Sequence, residues 1–436
     1  MTSPVRDFYE GYKMISNNAE FNSLILYRSL LDDELVNLVC QIIDYDRTAD
    51  QSGFEDIFYR ISHRLLEYSR MHGSQGDVWQ AYFFDLMLED ENPFSLECEL
   101  SGDEINPQLR GMARHDLDIL RNLYSLKWSD IGKSVSIPLT CNYPCFKGLI
   151  PCDPARLEAK GKLFGSAGVS DPEAMLAALE SYYRQFGCGL LGRYSAFRWD
   201  GGLRPITHPD PVTMDKIIGY DYQKQILLDN TSAFVEGKPA NNVLLYGAKG
   251  TGKSSSVKAL LNRFAEQGLR MVEISRRQLA DIHKITDQLR YRCHRFIIFI
   301  DDLSFEDFEV DYKYIKASME GSLEVRPQNI LFYVTSNRRH LIRENWNDRQ
   351  RGEDEVFPPD SQQEKLSFAD RFGISLAYLS PDQELYLRMV AEMAENEGIK
   401  MDLQELRGKA IQWELSHHGR SGRSARQFID DLLGRL

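Results

Sequence analysis

Residues 246–256 read YGAKGTGKSSS, and Gly247, Gly252, Lys253 and Ser254 hold the spacing Gly, four residues, Gly, Lys, Ser. An apolar run, NVLLY (242–246), comes before this stretch, and a segment of helical periodicity, SSSVKALLNRFAEQG, follows it. A glycine loop between a strand and a helix is the context a phosphate-binding loop needs. Glycines at 247, 250 and 252 let successive backbone N–H groups turn toward one anion, and the helix N-terminus adds its dipole. Lys253 then reaches the β and γ phosphates, and Ser254 offers a hydroxyl to Mg²⁺. The candidate binding residues are Gly247, Ala248, Lys249, Gly250, Thr251, Gly252, Lys253, Ser254 and Ser255. The competing interpretation is a plain glycine turn before a helix.

Hydrolysis of a bound nucleotide requires carboxylates as well as a phosphate loop. FIIFIDDLSFED (296–307) provides them: Asp301 ends an apolar strand where it can hold the Mg²⁺ shell, and Asp302 follows as the expected general base. Taken alone, the pair is also what two exposed acids at a strand end look like. Further on, ILFYVTSNRRHLI ends a strand in Thr335, Ser336 and Asn337, and Asn337 is the expected water-orienting residue. Arg371 stands just before a last strand in LSFADRFGISL, and Arg423 and Arg426 open the last helix in SGRSARQF. Each of these arginines, read singly, is equally compatible with solvated surface charge.

The 436 residues predict two or three domains. Apolar residues at three and four spacings mark helices in NSLILYRSLLDDELVNLVCQIIDY, FEDIFYRISHRLLEYSRM and VWQAYFFDLMLEDE. DPEAMLAALESYYRQFG adds a helix opened by Asp171 and Pro172. These make residues 1–198 a mostly helical domain. GGLRPITHPDPV has linker composition, which gives a linker over 199–212. Beyond it, the runs NVLLY, LRMVEI, FIIFID, ILFYVTS and ISLAYLS alternate with helical stretches. That alternation predicts an α/β domain over 213–380 with a parallel five-stranded sheet, and a helical lid over 381–436.

Lys and Arg number 52 against 65 Asp and Glu, and the net charge of −13 works against broad binding to nucleic acid or anionic membranes. The most apolar run is far shorter than the roughly 18 residues of a membrane span. Seven scattered cysteines suit reduced thiols. Cys141, Cys145 and Cys152 are close in sequence but lack the fourth ligand of a structural zinc site. A cytoplasmic protein is expected.

In order, the loop GAKGTGKS, the strand FIIFIDD, the segment TSN, the arginine of ADRFG and a lid arginine resemble the AAA+ ATPases over about 215–436. More narrowly, DDLSFE, TSNRRHLI, LSFADRFG and RSGRSARQF resemble a bacterial AAA+ family catalogued as a domain of unknown function. The resemblance implies ATP and Mg²⁺ as ligands, with Ile218 and Gly219 of DKIIGYDYQKQIL against the base. It implies Asn337 as sensor 1, Arg426 as sensor 2 and Arg371 as a finger reaching a neighbouring subunit of a homo-oligomer, with Arg338 and Arg339 as rivals. Asp302 stands where most active members carry Glu, which leaves Glu306 in reserve as the base and moves the expectation from fast motor toward slow switch.

Three functions are compatible with these features. The first is an oligomeric ATPase whose N-terminal domain grips a protein partner. The second is a non-hydrolysing, ATP-dependent scaffold or regulator. The third, a nucleic-acid loader, is supported only by basic clusters such as LRYRCHR (289–295) and is not favoured by the net charge. A small-molecule kinase would not need arginines in this order.

Overall fold

The computed structural model describes residues 21–45, 50–73, 76–100, 104–134, 147–150, 154–169, 171–303, 327–337, 372–417 and 419–435. The chain divides into two compact units, Met1–Tyr194 and Ser195–Leu436.

Among the described residues the first unit is helical: α1 (Glu34–Asp44), α2 (Gln51–His72), α3 (Val78–Glu89), α4 (Pro93–Leu100), α5 (Pro107–Ser125), α6 (Trp128–Ser134), α7 (Pro154–Val169), α8 (Pro172–Phe186) and α9 (Gly189–Arg193). Its core is aromatic, with Trp128 stacked on Phe58 at 5.0 Å. Asp77 caps α3 through Trp79 N–H at 3.0 Å and also accepts from Trp128 N–H at 2.9 Å, so one carboxylate starts two helices. Asp171 and Pro172 open α8 as their types predict, and Gly187 closes it with φ +75°.

The helical periodicity of residues 22–45 is only partly realised, because the α-helix begins at Glu34, capped by Asp33. Upstream, the backbone N–H groups of Ile25, Leu26 and Tyr27 all donate to the Asp116 carboxylate, which is wholly buried on α5. That acceptor replaces the carbonyls a helix would supply. A second buried carboxylate, Asp85, accepts from Tyr68 and Lys160 and lies 3.6 Å from Arg193.

The second unit is built on a seven-stranded sheet: β1 (Ala196–Trp199), β2 (Leu203–Pro205), β3 (Val243–Gly247), β4 (Leu269–Ile274), β5 (Arg295–Ile300), β6 (Ile330–Ser336) and β7 (Ile374–Tyr378). Their order is β2-β1-β4-β5-β6-β3-β7; all pairings are parallel except β1 with β2. Five strands were expected. The extra two straddle the expected boundary: β1, from the end of the stretch assigned to the helical domain, extends the sheet beside β4, and a turn at Asp200–Gly202 folds β2, from the expected linker, back along it. Along AFRW only Arg198 is exposed, and Gly201 takes φ +67°, so the glycines that suggested a linker instead close a hairpin.

Strands β4, β5 and β6 are buried on both faces, which is why they read as unbroken apolar runs. Helices α10 (Asp221–Val235), α11 (Lys253–Phe264) and α12 (Ile282–Leu289) accompany the sheet. The last helices, α13 (Gln383–Asn396), α14 (Leu403–Ser416) and α15 (Gly422–Arg435), pack on a separate core of Tyr386, Met389, Val390, Leu406, Phe428 and Ile429. Ile218, far upstream, belongs to that same core, and Tyr220 packs against both it and the sheet core.

Candidate functional site

Strand β3 lies between β6 and β7, while the chain leaving it returns at β4, three strands away. The sheet order therefore reverses at β3, and a crevice opens beyond the C-terminal ends of strands at such a switch point. The loop after β3, the acids after β5 and the asparagine after β6 all emerge at this end. Together with residues of α13 and α15 they line a cavity of about 1030 Å³.

The loop is set by backbone geometry. Gly247, Gly250 and Gly252 have φ of +132°, +73° and +90°, which side chains strongly disfavour. At Gly247 a Cβ would lie 2.2 Å from the Tyr378 carbonyl oxygen, so the loop is seated directly on β7. At Gly250 it would meet Ser421 Oγ at 3.0 Å, just ahead of α15, and Arg423 Cβ at 3.1 Å, in its first turn. Arg423 N–H in turn donates to Gly250 O at 3.2 Å. Helix α11 begins at Lys253 with Gly252 as its cap and no side chain on its first N–H groups.

Lys253 is 5% exposed and its ammonium donates to Ala248 O at 2.7 Å, to Gly247 O at 3.3 Å and to Asn337 Oδ1 at 3.0 Å. Burial pushes this group down to about 8; Asp302 and Asp301 pull it back, while Arg423 and Lys249 push with burial. Ser254 Oγ donates to Asp301 Oδ1 at 2.6 Å. Asn337 Nδ2 donates to Asp302 Oδ1, so Asn337 bridges Lys253 and Asp302. A hard-oxygen pair, one hydroxyl and one carboxylate, thus stands beside a lysine and an uncapped helix start. This donor set fits Mg²⁺.

The structure brings Ile218, Lys249, Gly250, Thr251, Gly252, Lys253, Ser254, Ser255, Asp301, Asp302, Asn337 and Arg426 onto the cavity wall. Gly247 and Ala248 contribute through the carbonyls that hold Lys253. Gly219 has φ +80°, and a Cβ there would lie 2.8 Å from Leu385 on α13. Arg426 is paired with Glu397 at 2.6 Å and Asp430 at 2.9 Å. Arg338, Arg339, Arg371 and Glu306 lie outside the described residues, as do His418, Cys141, Cys145 and Cys152. His417 stacks on Trp413 at 3.8 Å and accepts a helix-end role away from the cavity lining.

Several lining residues escaped the sequence reading: Asp215 and Ile217 before α10, Met389 and Met393 on α13, Glu397 just after it, and Gln427 on α15. Met389 and Met393 are one helical turn apart on α13, a spacing that in the sequence signals only a buried face.

The large subunit of replication factor C from Nanoarchaeum equitans (strain Kin4-M) is 35% identical over 78 residues, 18% of this chain and 18% of that protein. Among solved structures, the Thermotoga maritima RuvB Holliday junction branch migration motor is 16% identical, with a TM-score of 0.35, covering 50% of this chain and 63% of that one. C. elegans PCH-2 is 17% identical, with a TM-score of 0.32, covering 49% of this chain and 63% of that one. The chain thus spans less than two thirds of each of these relatives. Residues 192–436, more than half of the chain, match a family model described as a protein of unknown function (DUF815), and the protein belongs to that family, a family of AAA+ ATPases.

Proposed function

We propose that the protein binds ATP with Mg²⁺ at the end of β3 and hydrolyses it slowly, as a switch that drives the remodelling or recruitment of a macromolecular partner. One observation carries this reading: Ser254 Oγ and Asp301 Oδ1 meet at 2.6 Å beside Lys253, Asp302 and Asn337, on the wall of a single cavity.

The loop N–H groups and the start of α11 hold the phosphates. Lys253 leaves the carbonyls of Gly247 and Ala248 and transfers its hydrogen bonds to phosphate oxygens. Ser254 and Asp301 would hold Mg²⁺, which would neutralise charge on the phosphates. Because the Ser254 hydroxyl proton already points to Asp301, its lone pairs are left for the cation. Asp302 accepts a proton from the attacking water, and Asn337 orients that water. Ile218 and the two methionines of α13 offer the apolar wall for the base.

A slow switch is favoured over a fast motor by the Asn337–Asp302 contact, since the carboxylate must release the amide before it can take up water. Arg426, paired with Glu397 on the cavity wall, is the lid's link to the phosphates, and a homo-oligomer with Arg371 acting between subunits completes the proposal. The residues of the first unit are its surface for a partner.

The test is steady-state phosphate release over a protein concentration series, with Lys253→Ala and Asp302→Asn beside the wild type. A rate per chain that rises with concentration and is lost in both variants supports the reading. Turnover equal to that of Lys253→Ala at every concentration sinks the hydrolytic part of it.

A further inference from the structure

The bend after β5 must present two neighbouring carboxylates to different groups. Asp301 goes to Ser254, and Asp302 goes to Asn337. Successive residues in an extended strand diverge, but here the divergence comes with a backbone the chain resists: Asp302 has φ +52° and, with Tyr220, is one of two non-glycine residues with positive φ among those described.

Three hydrogen bonds hold that bend, and all three end on one residue of the neighbouring strand. Thr335, on β6 and 1% exposed, donates its hydroxyl to Asp301 Oδ1 at 2.6 Å. The Thr335 hydroxyl oxygen in turn accepts from the backbone N–H of Asp302 at 2.9 Å. The Thr335 carbonyl accepts from the N–H of Leu303 at 2.8 Å. A threonine hydroxyl has one proton and can accept as well. With the proton committed to Asp301 and a lone pair to Asp302, its orientation is settled from both sides. Asp301 Oδ1 receives two hydroxyls, from Thr335 and Ser254, which leaves Oδ2 as the oxygen neither engages.

We propose that Thr335 is a positioning residue for both acids: its side chain ties Asp301 and the left-handed turn at Asp302 to β6, and so sets the cation ligand and the base together. The proposal rests on the function argued above and assigns a role to a residue that touches neither nucleotide nor metal. Both acids lose their alignment when the hydroxyl is removed, although the loop and Lys253 stay intact.

The experiment compares wild type, Thr335→Val and Thr335→Ser in the full chain. Calorimetric titration with ATP is run in excess Mg²⁺ and in EDTA, and turnover and thermal unfolding are followed on the same samples. Thr335→Val is expected to bind ATP in EDTA within about twofold of wild type, to lose the gain in affinity that Mg²⁺ confers, and to lower kcat on the order of 100-fold with KM changed far less. Thr335→Ser restores the Mg²⁺ gain and most of kcat. Should the valine chain not fold, Thr335→Ala against Thr335→Ser gives the same comparison, since the two differ by the hydroxyl alone. A valine or alanine variant with wild-type Mg²⁺ gain and kcat overturns the proposal, and so does a serine variant as impaired as valine. Wild-type protein that binds no ATP with or without Mg²⁺ overturns the nucleotide-site reading itself, an outcome read without any variant.

Discussion

The depressed ammonium of Lys253 makes ATP binding a proton-linked event. In the nucleotide-free protein burial holds it at about 8, with the two aspartates opposing. Phosphate oxygens favour the charged form, so in the complex the group returns at least to the ordinary lysine value near 10.4. Binding must then take up protons, roughly half a proton per site at pH 8 and nearly one at pH 9. Apparent affinity falls about tenfold between pH 7 and pH 9, because nine-tenths of the free sites are neutral at the higher pH. The sign for folding runs the other way. The folded state holds this proton more weakly than the unfolded chain, so the contribution of Lys253 to stability grows as pH rises from about 8 toward 10.4 and is lost as pH falls through 8. Calorimetric titration with ATP in two buffers of different ionisation heat measures the uptake. Lys253→Arg, which keeps its proton throughout, is the baseline that removes the nucleotide's own ionisation. Uptake that is flat from pH 7 to pH 9, or identical in Lys253→Arg, refutes the argument.

Three further perturbations probe the frame around this site and the helical unit. Gly247→Ala puts a methyl 2.2 Å from the Tyr378 carbonyl at φ +132°; it should separate the loop from β7 and abolish ATP binding by filter assay, with a lowered midpoint of thermal unfolding. Asp116→Ala strips the acceptor from the N–H groups of Ile25, Leu26 and Tyr27 and should cost about 3 kcal/mol or more in urea unfolding. Asp85→Ala leaves Lys160 and Arg193 near each other without their shared carboxylate, with an expected loss of about 3 kcal/mol in the same assay and no change in ATP affinity.

What could be read from the residues follows the range of the interactions involved. The apolar runs that became β4, β5 and β6 were visible because a strand covered on both faces has no polar alternation to hide it. The phosphate loop was visible because its glycines, lysine and serine act within a few residues of one another. The hairpin of β1 and β2 was not: its three- and four-residue strands are short, and the glycines that close it also write linkers. Residues 25–27 looked helical because nothing nearby announces that their N–H groups are taken by a carboxylate ninety residues on. Likewise Glu397 and Met393 face the cavity only once α13 has docked, and their sequence carries no sign of it. Thr335 stood in view beside Asn337, but its role depends on β6 lying next to β5.

The core of the last three helices is assembled from two stretches of chain that are far apart: α13, α14 and α15, and Ile218 ahead of the glycine loop. Tyr220 strengthens that attachment, its ring 4.9 Å from that of Tyr378 and its hydroxyl donating to Leu379 O at 2.7 Å. A protease that nicks the chain between Tyr378 and Asp382 would therefore not set these helices free, because the two fragments remain joined through Ile218. The same wiring forbids treating residues 381–436 as a portable module: grafted elsewhere, those helices arrive with an apolar socket that, among the described residues, the segment ahead of α10 fills.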